Sequence, residues 1–161
     1  LDKERIMASL IEMQKVTAQK QAFGKLMSDY SPPAGESESG ESPQEELLCE
    51  MLEASAQAKV FHWQTSSFAE HEAMGEFYEG FNDLMDKFIE AYQGCYGRIM
   101  LGCELEVKPY TMDAPVAFLT SFKGYISGDA RMLVMGNSAL SNILDEINGL
   151  VEQTLYRLTF K

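Results

Sequence analysis

From Phe68 to Gln93 the chain repeats at a helical period without interruption, and no other stretch limits the possible folds so tightly. Advancing about 100° per residue from Glu72, the acids Glu72, Glu76, Glu79, Asp83, Asp86 and Glu90 fall within roughly ±40° of one line. Met74, Phe77, Phe81, Leu84, Met85, Phe88 and Tyr92 take the broad opposite face. A long helix with so wide an apolar face has to be covered by further helices. Glu72, Glu76, Glu79 and Asp83 are expected on a solvated surface, because carboxylates are seldom buried. His71, Gly75, Asn82 and Asp86 lie on the border between the two faces, where a helix meets a partner.

The rest of the chain supplies the cover. Ser42-Pro43 with Glu45 three residues after the serine is a capped helix start, and Leu47, Met51, Ala54, Ala58 and Phe61 continue a stripe to about Gln64. Asp113-Ala114-Pro115 predicts another start, with a pattern to about Met135 weakened by Gly124 and Gly128. Leu140, Ile143, Leu144, Ile147, Leu150, Val151, Leu155 and Leu158 mark a last helix to about Phe160. Between Cys95 and Met112 periodicity is lost, and Gly97, Gly102 and Pro109 predict an irregular connection. Upstream, Asp2 to about Ser28 reads as an amphipathic helix, and Tyr30 to Ser42, rich in Pro, Gly, Ser and Glu, as a linker. The predicted organisation is a helical arm at 1–29, a linker at 30–42 and a four-helix bundle at 43–161. The expected fold is all-α: an antiparallel four-helix bundle with one long crossover, the topology called ferritin-like, and an additional N-terminal helix.

A net charge of -12, with no basic cluster anywhere, disfavours nucleic acid as a partner. No apolar run is long enough to span a bilayer, so no membrane role is expected. Cys49, Cys95 and Cys103 are an odd number without CxxC spacing, which predicts neither a disulfide framework nor a zinc knuckle. That favours the cytoplasm or another reducing compartment, with a virion or organelle left open. Cys49 is expected as a small buried residue, and Cys95 and Cys103, both in the irregular connection, could meet each other. The ten methionines are spread over apolar faces, as core filler rather than copper ligands.

Both histidines and the only tryptophan fall between Phe61 and Tyr92. Imidazole plus paired carboxylate is a first-row transition-metal ligand set. His71 and Asp86 are about 22 Å apart along a straight helix axis, too far to share an ion. Two copies packed antiparallel about a two-fold axis would bring His62 and His71 of one to Asp86 and Glu90 of the other, giving two equivalent sites.

The run Phe61-His62-Trp63-Gln64, then Phe68, His71-Glu72, Phe77-Tyr78, Asp86 and Glu90, resembles the Dps-type mini-ferritins of the ferritin-like superfamily, in particular divergent phage and environmental members. The resemblance implies an oligomer, a two-fold dimer or a dodecameric shell, that oxidises Fe(II) with oxygen or peroxide and stores Fe(III). It implies non-haem iron held by His62, His71, Asp86 and Glu90, which are then also the catalytic residues. Trp63 is similar to the family tryptophan, placed to intercept oxidising equivalents. The family carries a further Asp four residues after the second histidine, where this chain has Gly75, and its connection between the two histidines is about three residues longer. Those departures favour an alternative: a non-catalytic structural or adaptor subunit that docks to other protein subunits through the N-terminal arm.

Overall fold

The computed structural model describes residues 42–160. The arm at 1–29 and the linker predicted at 30–42, all but Ser42, lie outside the described residues. Four substantial helices and one short helix account for most of the remainder: α1 (Pro43–Gln64), α2 (Phe68–Tyr96), α3 (Ala114–Ser127), α4 (Asp129–Leu133) and α5 (Ser138–Arg157).

Local chemistry sets their limits. Ser42 accepts a hydrogen bond from the Glu45 amide at 3.1 Å and Pro43 opens α1, as the sequence predicts. Ser67 and Asn137 cap α2 and α5 in the same way, through the amides of Glu70 and Leu140. Gly97, with φ of 96°, ends α2 in a conformation that side-chain-bearing residues rarely adopt. Two boundaries depart from the expectation. Asp113 precedes α3 but makes no side-chain cap, and the pattern expected to run to Met135 breaks at Gly128 into α3 and α4.

α2 is the central helix, packed against α1 on one side and α5 on the other, while α3 packs on α5 and touches α1. The core is the predicted apolar face. Phe77, Phe81 and Phe88 are fully buried, with Met51 and Ala58 of α1, Leu119 and Ile126 of α3, and Leu144, Ile147 and Val151 of α5 around them. Phe81 stacks on Phe77 at 5.5 Å between centroids and meets Phe122 edge-on at 5.2 Å, which ties α2 to α3 through the bundle centre. The acidic line faces outward: Glu72, Glu76, Glu79, Asp83, Asp86 and Glu90 are all exposed. Glu76 pairs with Arg157 and Lys87 with Glu146, surface contacts worth little individually.

The crossover between α2 and α3 is irregular but ordered by α1, whose side chains Glu45, Cys49, Glu53 and Gln57 recur one turn apart, with Gln64 two turns further on. Glu45, Glu53, Gln57 and Gln64 accept hydrogen bonds from the backbone amides of Gly102, Glu106, Lys108 and Tyr110 in that order. Gln57 closes a second bond, donating to the Lys108 carbonyl at 2.9 Å. From Glu45 to Gln64 the helix rises about 28 Å, and an extended chain from Gly102 to Tyr110 covers about 26 Å, so the two keep pace over the whole span although not step by step. Because the crossover runs from the start of α1 to its end, α3 starts beside the beginning of α2 and runs in the same direction.

Cys49 and Cys103 form a disulfide with Cα atoms 6.0 Å apart, in the same register. This corrects the prediction of no disulfide and the alternative pairing of Cys95 with Cys103. Cys95 is exposed and free. The reason is the ladder: it lays Cys103 against Cys49 on α1, whereas the Cys95 thiol at the end of α2 accepts from Asn137 at the start of α5. The pairing also removes the argument from cysteine spacing for a reducing compartment, since structural disulfides persist in oxidising ones. No helix among the described residues is long and apolar enough to cross a membrane.

Candidate metal centre

His62 lies in the last turn of α1 and His71 in the first turn of α2, separated by the short Thr65–Ser67 turn. The turn folds the two helices back on each other and brings the imidazoles face to face. Their centroids are 4.0 Å apart and their planes 22° from parallel. Each ring hydrogen-bonds the other residue's backbone: His62 Nδ1 donates to the His71 carbonyl and His71 Nδ1 to the His62 carbonyl, both at 2.9 Å. A carbonyl oxygen can only accept, so each Nδ1 carries a proton, and in the neutral form of either ring Nε2 is the nitrogen left to accept or to ligate. Metal-ligating histidines are oriented in this way, the second nitrogen anchored on a carbonyl or carboxylate. Both rings are half-buried.

Gly75 explains how the pair fits. A Cβ built on Gly75 would lie 3.0 Å from both Cε1 and Nδ1 of His62, closer than nearly all real contacts. In this fold the glycine is therefore the floor on which the His62 ring rests. An aspartate there would push against the ring it is supposed to assist. Gly75→Ala tests this. Alanine should gain about 1 kcal/mol in an ordinary helix interior. Because the His62 ring is held by its carbonyl bond and by the His71 ring, we expect that gain to be lost in urea unfolding and His62 to leave its seat, seen as a changed imidazole NMR signal. A full gain with an unmoved His62 signal would contradict the assignment.

The same corner carries Lys59, Glu70 and Tyr110, to which sequence reasoning assigned no role. Lys59 Nζ lies 3.8 Å from the centroid of Tyr78 and 5.5 Å from that of Trp63, held over both rings. Tyr110 Oη donates to Glu70 at 3.1 Å, fixing the end of the crossover against the first turn of α2. Trp63 and Phe68 flank the turn with 68% and 78% of their surfaces exposed, an unusual display for aromatic residues.

Asp86 and Glu90 are one turn apart on the exposed face of α2, and among the described residues neither forms an ion pair or a side-chain hydrogen bond. Within one chain they do not approach the histidines, as about 22 Å of helix rise requires. Among the described residues no group of three or more His, Cys, Asp or Glu side chains in a single chain could hold a metal ion. The predicted residues thus fall into two separate groups: a histidine pair at one end of α2 and a carboxylate pair further along it.

Residues 62–158 match a family model described as a family of unknown function (DUF5856). The match covers more than half of the chain, which belongs to that family, and it takes in the histidine pair and the carboxylate pair. No curated protein and no solved structure matches the chain.

Proposed function

We propose that the chain is an iron-handling, ferritin-like bundle of the Dps type, binding Fe(II) as its substrate between two copies of itself. In this reading His62 and His71 of one protomer and Asp86 and Glu90 of the other hold the ion. The single observation that carries the proposal is the reciprocal anchoring of the two imidazoles, each Nδ1 on the other's carbonyl, which leaves Nε2 as the nitrogen of each ring not taken by the backbone. The helix neighbours support the ferritin-like part: α1 on α2, α2 on α5, α5 on α3 and α3 on α1, with the crossover making α2 and α3 parallel. The exposed Trp63 and Phe68 beside the histidines suit a surface that a second copy covers.

Nitrogen and carboxylate oxygen donors hold Fe(II) and favour Fe(III) once it forms. With peroxide as oxidant, two Fe(II) each give up one electron, and one peroxide takes two protons to leave two waters. This chain's part is to bind and position the ion. The anchored rings cannot turn away, and the acidic face of α2 raises the local concentration of cations.

A second reading has its own support. The same pair of bonds makes a joint that locks α1 to α2, and Gly75 offers no oxygen. In that case the bundle is a structural or adaptor subunit without catalysis, docking through its N-terminal arm. Anaerobic Fe(II) titration followed by oxygen or peroxide, read as Fe(III) absorbance in the near ultraviolet, separates the two. The iron reading predicts saturable uptake that falls at least about a hundredfold in affinity in a His62→Ala, Asp86→Ala chain, as loss of two of four ligands implies. The structural reading predicts no uptake, or uptake unchanged by those substitutions.

A further inference from the structure

Between α1, α3 and the crossover lies a cavity of about 360 Å³ that neither histidine lines. Its floor is aromatic: Phe61 and Phe122 are almost fully buried, and Phe118 stacks parallel to Phe122 with centroids 6.0 Å apart. Its rim is anionic, with the carboxylates of Glu50, Glu53 and Glu106 against the single ammonium of Lys108. We propose that this cavity binds a small organic ammonium ion carrying an apolar or aromatic group.

The volume falls in the range of small-molecule sites, which are mostly apolar with a few placed polar groups. Glu53 is placed: its Oε2 accepts the Glu106 amide at 3.1 Å, which holds the carboxylate at the rim. Gln57 is not free to recognise a neutral amide, because both ends of its side chain are taken by the Lys108 backbone. Burial, then the charges of Glu53 and Glu46, raise the Glu50 carboxyl above its ordinary pKa. An anion would meet three carboxylates, whereas a cation is attracted by all three. A bare metal ion lacks a ligand set here, since no group of three suitable side chains occurs among the described residues. A cation with an apolar body satisfies both parts, its charge at the rim and its body over the faces of the rings.

The probe pair is phenethylammonium and 2-phenylethanol, nearly equal in shape and differing in charge, titrated into the full chain by calorimetry. The ammonium should bind about tenfold or more tightly than the alcohol. Glu50→Gln with Glu53→Gln should remove that difference, and Phe118→Ala should weaken both ligands. Equal affinity of the two probes for the parent protein, or no binding of either, overturns the proposal without reference to any variant. Undiminished preference in the double glutamine chain overturns it as well.

Discussion

A Cys103→Ser chain is expected to unfold about 4 kcal/mol more easily than the oxidised parent. The bond joins residues 54 apart in sequence, and closing a loop of that length in the unfolded chain accounts for about 4 kcal/mol in the chain-entropy model. The other ties of the crossover cannot replace it. The bonds to Glu45, Glu53 and Gln64 are exposed to water, and each contributes about 1 kcal/mol or less net. The helices should survive, because their core lies on the far side of α1, while the amides of Glu106, Lys108 and Tyr110 should exchange faster with solvent. Cys95→Ser is the control: an exposed thiol off the disulfide should change stability by no more than about 0.5 kcal/mol. Urea unfolding with and without reductant measures the effect. An unchanged midpoint in reductant would mean that the disulfide contributes nothing to the fold.

The helices were legible in the sequence because their information is local. The stripe through Phe77, Phe81 and Phe88, the Ser42-Pro43 start and the apolar run of α5 each announce themselves within a few turns. The break at Gly128 was visible as a weakness but not as an end, since a glycine inside a helical pattern is tolerated as often as it terminates one. The crossover was not legible as structure. Its amides bond to side chains about fifty positions upstream, and no local periodicity records that. A signal was nevertheless present: Glu45, Cys49, Glu53 and Gln57, polar or paired and four apart, draw a line down α1 that a solvated face does not require.

The histidine pair shows the same division. Spacing singled out His62 and His71 as chemistry-bearing residues, but not that a short turn would stack them. Gly75 was read through resemblance as the place of an absent ligand, whereas packing makes it the space that admits the His62 ring. A residue's role at such a position depends on what approaches it from another helix, and one sequence does not contain that distance. Asp86 and Glu90 remain where projection put them, exposed and one turn apart.

The proposed function requires the histidine pair of one chain to meet the carboxylate pair of another. Two variants separate that idea from binding within one chain. His62→Gln with His71→Gln removes the imidazoles while keeping an amide donor for each carbonyl, and Asp86→Ala with Glu90→Ala removes the carboxylates from an exposed face. Neither variant alone can complete a site. A mixed dimer can complete one of its two, from the histidines of one partner and the acids of the other. After subunit exchange at equal concentrations, with random pairing, Fe(II) bound at equilibrium dialysis should recover to about a quarter of the parental value from nearly nothing in either variant alone. No recovery on mixing, or parental binding by the Asp86→Ala, Glu90→Ala chain alone, would contradict a site shared between two copies.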